Sequence, residues 1–295
     1  MKNDRPSETA SFVTMGRALA HAHKRLPGFD DPFALALLPD AHRQVIERRL
    51  DGRWARNRRE AALGWVAEVM ERLVGPRTVV IDEALRESPR RPQVVIVAAG
   101  LDARAYRLAE LSESIVFEVD HPATQAAKRS RAAGFTPVAR ELRHVAVDLL
   151  QQSLGDALAG AGHDAWLPTT WVIEGIITYL RRSEVDTVLR AVAQRSSPGS
   201  RIVATYNEPR WSERLFGGVG ARLGEPARSS FSRAEMRALL GRHGFDVSAD
   251  RDGHERVVYL GVAPSLVDRH VIRFHHVVVA DRAPVTRSVQ AVATR

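Results

Sequence analysis

The stretch Gln93–Asp102, QVVIVAAGLD, decides the reading of this chain. Five consecutive β-branched or apolar residues, with no polar alternation, mark a strand buried on both faces. Small residues and Gly100 then turn the chain into the helix-like ARAYRLAEL. Downstream the same unit repeats. SIVFEVD (114–120), HVAVDL (144–149), TTWVIEGIITYL (169–180) and SRIVATYN (200–207) are apolar runs separated by helical stretches. This rhythm predicts an α/β fold, a doubly wound and mostly parallel sheet. Near the end, ERVVYLGVA (255–263) and RHVIRFHHVVVA (269–280) read as two strands with no helix between them, and so as an antiparallel pair.

Upstream of Gln93 the pattern is helical. Ser11–His23 is followed by DDPFALALLPD, in which Pro32 sits near the start of a short apolar helix. Trp54, Leu63, Trp65, Val66, Val69 and Leu73 keep helical spacing, Gly75–Pro76 predicts a stop, and a further helix is expected over 78–87. The expected organisation is a helical lid over 1–90, an α/β domain over 91–282 and a tail over 283–295.

Composition narrows the function classes. The 295 residues are 44% hydrophobic and 26% charged, the range of a folded globular chain. With no cysteine, thiolate metal sites and cysteine nucleophiles are excluded. No run approaches the length of a membrane span, and the start MKNDRPSETA lacks the apolar region of a signal peptide. The cytoplasm is therefore the expected compartment. The net charge of +8 comes almost entirely from arginine, since only Lys2, Lys24 and Lys128 among the 43 basic residues are lysines. These arginines are scattered rather than clustered on one element, so neither a nucleic-acid partner nor a membrane is expected.

In an open α/β sheet, ligands bind beyond the carboxyl ends of the strands. The polar residues there are candidates, each with a structural alternative. Gly100 either admits a ligand to the backbone or simply makes a tight turn. Asp120, twenty residues on, suits the hydroxyls of a ribose, or serves the helix start before Pro122. Asp148 with Leu149 could bracket a base, or Asp148 could cap a turn. Glu174 lies in an apolar run and needs either a ligand or an arginine partner. His275 and His276 alternate on a predicted strand and cannot share a metal, so no metal is expected. No GxSxG elbow is present.

Taken in order, VVIVAAGLDARAYRL (94–108), VFEVDHP (116–122), VDLL (147–150) and WVIEGIITYL (171–180) resemble the leucine carboxyl methyltransferase-like family, a group of class I S-adenosylmethionine-dependent enzymes. DDPFALALL (30–38) and PRTVVID (76–82) are similar to its helical lid segment. The resemblance implies a class I methyltransferase sheet that binds S-adenosylmethionine. Arg77 would pair with the cofactor's methionine carboxylate, and Gly100 would lie against the methionine part. Asp120, with His121 beside it, would hold the ribose, Asp148 and Leu149 the adenine, and Glu174 the amino group. A glycine is implied two positions before Gly100, where this chain has Ala98. Tyr179, Tyr206 and Asn207 are placed to line the acceptor pocket, unless the tyrosines only pack with a wet hydroxyl, and Arg17 and His21, in the lid, are expected to meet the substrate as well. The implied reaction is O-methylation of a carboxylate on a small-molecule or peptide acid, with no general base required. Two other readings stay open: a repurposed member that binds the cofactor without methylating, and an NAD-dependent oxidoreductase.

Overall fold

The structure, a computed structural model, describes residues 6–88, 92–209, 227–270 and 272–283. The expected tail, from residue 284 onward, lies outside the described residues. Four helices come first: α1 (Glu8–His23), α2 (Ala34–Leu37), α3 (Asp40–Leu50) and α4 (Arg58–Arg86). Strands and helices then alternate as β1 (Gln93–Val97), α5 (Arg104–Arg107), β2 (Ile115–Asp120), α6 (Pro122–Arg131), β3 (Glu141–Ala146), α7 (Leu154–Gly160), β4 (Thr169–Ile173), α8 (Arg182–Gln194) and β5 (Arg201–Asn207). The last described elements are α9 (Arg233–Arg242), β6 (Asp246–Arg251), α10 (Gly253–Tyr259), α11 (Leu266–His270) and β7 (His275–Asp281).

The seven strands form one sheet in the order β3-β2-β1-β4-β5-β7-β6. Strands β1 to β5 are parallel, and β7 runs antiparallel to both β5 and β6. Alternation along the strands divides the core. Val95, Val97, Phe117, Trp171 and Ile202 pack on one face with Leu158 of α7 and Val188 of α8. Val94, Ile96, Val116, Val172 and Val203 pack on the other with Ile81 and Leu85 of α4. Both faces are covered, which is why the strands read as unbroken apolar runs.

The sequence reading is corrected at four places. Residues 255–259 lie in α10 rather than a strand, because Asp252 and Glu255 form a capping box that starts a helix there. The second antiparallel strand is instead β6, DVSADR, a polar edge strand. Helix α4 runs through Gly75–Pro76 without stopping. Pro76 forfeits one helical hydrogen bond, but Leu73 and Val74 pack on Ile272 while Val80 and Ile81 pack on the sheet, so burial of both halves carries the helix across. Strand β3 is displaced to 141–146 and β4 ends at Ile173, which leaves Asp148 and Glu174 just beyond their strands.

Helix α1 crosses α4 closely. A Cβ on Gly16 would stand 2.6 Å from the Met70 carbonyl carbon, so only glycine fits that crossing. The approach lays α1 over the carboxyl ends of the parallel strands. Among the described residues, no helix is long and apolar enough to cross a membrane.

Candidate functional site

A cleft of about 1300 Å³, counting its open mouth, lies over the carboxyl ends of β1 to β4, with α1 as its outer wall. Its floor begins where β1 ends. Ala98 and Gly100 both adopt left-handed backbone, with φ of 55° and 52°. That conformation costs an alanine about 1–2 kcal/mol and a glycine little. The turn is pinned because the Asp102 amide donates to the Ala99 carbonyl at 2.8 Å. A Cβ on Gly100 would come within 3.1 Å of the Ala10 methyl of α1.

Asp120 ends β2 beside this turn. One carboxylate oxygen accepts the Gly100 N–H and the other the His121 N–H at 2.6 Å. Burial raises its carboxyl above the ordinary range, and the two backbone donors only partly offset this. Each oxygen keeps a lone pair, so the group can still accept from hydroxyls of a ligand. His121 also lines the cleft, and its Nδ1 accepts the Ala123 N–H as the N-cap of α6.

Asp148 lies past β3 and organises its own turn, accepting from the Leu150 N–H at 3.0 Å and the Gln151 amide at 2.8 Å. Leu149 and Leu150 add apolar wall next to Val147 and Ile96.

The β4 end holds the strongest electrostatics. Glu174 is 2.7 Å from Arg77 Nη2 and accepts from Arg104 Nη1 at 2.9 Å. Burial would raise its carboxyl, but the two arginines outweigh burial and hold it below its usual range. Arg104 is itself buried and donates to Asp82 at 2.7 Å and to Asp102. Asp82 also pairs with Arg107 at 2.6 Å, and Asp31 pairs with Arg17 of α1 at 2.8 Å. Alternating charges therefore surround one end of the cleft. Gly175 follows with φ 73°, and a Cβ there would meet nothing within 4 Å.

The cleft thus gathers Arg17, Arg77, Ala98, Gly100, Asp120, His121, Asp148, Leu149, Glu174 and Tyr179. Three expected substrate residues are placed elsewhere. Tyr206 is buried, donates to Asp250 at 2.6 Å and stacks on His276 at 4.7 Å. Asn207 donates to Thr178 and meets His275 at 2.7 Å. His21 is partly exposed and pairs with Asp30 at 2.9 Å. Tyr206 thus turns to the β6–β7 side, whereas Asn207 bridges the turn after β4 and the start of β7. Sequence reasoning missed Asp102, Arg104 and Arg228. The acid and base two apart in GLDAR were a signal for the first two, whereas nothing marks Arg228 among so many arginines.

Acids with lone pairs left to accept from hydroxyls at one side, apolar wall in the middle and a matched acid–arginine pair at the other suit a nucleoside joined to an amino-acid zwitterion. Over residues 10–193 the chain matches the leucine carboxyl methyltransferase family. It is 35% identical over 241 residues to a protein of Mycobacterium sp. (strain JLS) named "Putative S-adenosyl-L-methionine-dependent methyltransferase", covering 81% of this chain and 74% of that one. A like-named protein of Mycobacterium avium (strain 104) is 34% identical over 291 residues, covering 92% and 85%. The fold is shared with a DUF574 family protein of Streptomyces avermitilis at a TM-score of 0.55 and 13% identity, covering 95% of this chain and 98% of that one. With the sheet order, the cleft and these matches together, the chain belongs to the leucine carboxyl methyltransferase family of class I S-adenosylmethionine-dependent methyltransferases.

Proposed function

We propose that the protein methylates a carboxylate oxygen of an acidic acceptor. The observation that carries this reading is the absence of a poised base at the β4 side of the cleft, among the described residues. Glu174 is held ionised by two arginines and is a poor base, and His121 caps α6 at the far side, beside β2. A carboxylate acceptor is already ionised at neutral pH and needs no proton removed.

S-Adenosylmethionine, when bound, supplies an electrophilic methyl on sulfur, and transfer to a carboxylate leaves a neutral ester and a thioether with no proton to place. The chain's own work is binding and alignment, which alone can lower a barrier by several kcal/mol. Asp120 accepts the ribose hydroxyls, while Asp148 and Leu149 flank the adenine. Arg77 takes the carboxylate of the amino-acid end and Glu174 its ammonium, with Arg104 keeping Glu174 in place. Helix α1 covers the cleft and excludes water.

Calorimetric titration with S-adenosylhomocysteine, with NAD for comparison, tests the cofactor assignment. Micromolar binding of the first and none of the second is expected. Incubation with methyl-tritiated S-adenosylmethionine and candidate acids then tests the chemistry. Label released as methanol by mild alkali identifies an ester, and alkali-stable label would overturn the carboxylate reading.

A further inference from the structure

Three arginines line the cleft among the described residues, and two are already committed. Arg17 pairs with Asp31 and donates to the Leu101 carbonyl at 2.9 Å. Arg77 pairs with Glu174. Arg228 is exposed, and its guanidinium makes no hydrogen bond or ion pair among the described residues. Its backbone is nevertheless tightly held. The Arg228 N–H donates to the Thr178 carbonyl at 2.7 Å, and Ser229 Oγ donates to the Ile177 carbonyl at 2.9 Å. Phe231 N–H is fixed to the Asn207 carbonyl at 2.9 Å. The arginine is therefore presented by the short turn that carries Tyr179, beside Ile176 and Leu180.

The sheet order sets this cation apart from the acids that receive hydroxyls. Asp120 and Asp148 follow β2 and β3, two and three strands from β4, or about 10–15 Å at ordinary strand spacing. Glu174 is nearer but is already held by Arg77 and Arg104. The β4 side thus carries one uncommitted positive charge next to apolar wall.

We propose that Arg228 recognises the methyl acceptor through a carboxylate, and that the acceptor is a carboxylic acid with an apolar body lying against Ile176 and Leu180. The inference rests on the reading of the cleft as a methyl-transfer site. A guanidinium meets a carboxylate with two parallel hydrogen bonds, so Arg228 selects by geometry as well as by charge. It binds and orients the acceptor and takes no part in proton transfer.

The test uses the full chain, tritiated S-adenosylmethionine and five probes: octanoate, decanoate, phenylacetate, N-acetylleucine and the neutral octanol. At least one acid should be methylated and octanol should not. For that acid, Arg228→Ala should raise KM at least tenfold with kcat within threefold, and Arg228→Lys should recover most of the loss. Affinity for S-adenosylhomocysteine should be the same in all three proteins. Three results would overturn the proposal alone: an unchanged KM in Arg228→Ala, a fall in kcat rather than a rise in KM, or equal use of octanol. No methylated acid from a protein that binds S-adenosylhomocysteine would overturn the carboxylate reading together with it. Failure of the wild type to bind S-adenosylhomocysteine would overturn the cleft reading and this proposal with it.

Discussion

Nη2 of Arg77, on α4, lies 2.7 Å from Oε1 of Glu174, just beyond β4, so a helix outside the sheet and a strand end inside it close one end of the cleft together. The opposite oxygen of Glu174 is held by Arg104. The two groups assigned to the ends of a zwitterion therefore satisfy each other in this structure. A ligand carrying both charges exchanges one ion pair for two, and the site needs no net charge of its own to bind it.

Replacing Glu174 removes the acid from between two buried arginines. Glu174→Gln should lower stability by about 3 kcal/mol, the scale for a buried pair broken from one side. It should also weaken S-adenosylhomocysteine at least tenfold. Urea denaturation and calorimetry on the same preparation separate the two effects. A variant that binds as well as wild type would remove Glu174 from the cofactor site.

Asp102 makes a pH prediction. Burial raises its carboxyl, but Arg104 leads the charges that outweigh burial and bring it down to about 2. A carboxyl lowered in the folded state contributes stability above its unfolded value near 3.8, and that contribution is lost as pH falls towards 2. It amounts to on the order of 2 kcal/mol at neutral pH. The stability gap between wild type and Asp102→Asn should stay constant from pH 7 to 5 and narrow between pH 4 and 2. A gap independent of pH would mean that Asp102 acts through packing alone.

The parallel sheet was legible because strands covered on both faces must be apolar throughout, as Val94–Val97 and Trp171–Ile173 are. Strand β6 was not. An edge strand with half-exposed residues carries Asp246, Ser248, Asp250 and Arg251, which read as loop, while Val257 and Val258 in the next helix imitated a strand. The capping pair Asp252 and Glu255 was the available signal. Asp120 and Glu174 were visible as acids at strand ends. Their hydrogen-bond partners were not, because Arg77 meets Glu174 across 97 residues of chain. Tyr206 and Asn207 were misplaced for the opposite reason: a strand end gives a polar residue's height in the sheet but not which neighbour it turns to.

Ala98 holds a backbone conformation that suits glycine, and it lines the cleft. Ala98→Gly relieves about 1–2 kcal/mol of left-handed strain and adds up to about 1 kcal/mol of unfolded-chain entropy. A net gain in stability of about 0.5–1 kcal/mol is expected, with S-adenosylhomocysteine bound at least as tightly. The reciprocal Gly100→Ala should lose both, since its methyl would press on Ala10 at 3.1 Å. Stabilisation by Gly100→Ala would show that α1 yields freely over the cleft.

Arg256 gives the remaining prediction. The side chain is fully buried on α10, and Nη1 donates to the His275 carbonyl at 2.5 Å and to the Arg251 carbonyl at 3.4 Å, while Nε and Nη2 have no partner among the described residues. Burial, reinforced by Arg77, pushes the guanidinium down to about 9 despite Asp252, Glu174 and Glu255. It is still charged at neutral pH, so the folded chain bears the whole desolvation penalty there. The sign is opposite to that of Asp102: a cation lowered in the folded state destabilises below about 9, and the penalty eases as pH rises towards the ordinary arginine value. Arg256→Met keeps the volume and removes the charge. It should raise the urea midpoint by the equivalent of about 1–4 kcal/mol with an unchanged slope, after allowing about 1 kcal/mol for the lost bond to His275. A lower midpoint would show that these hydrogen bonds, tying α10 to the first residue of β7 and the last of β6, outweigh the cost of the buried charge.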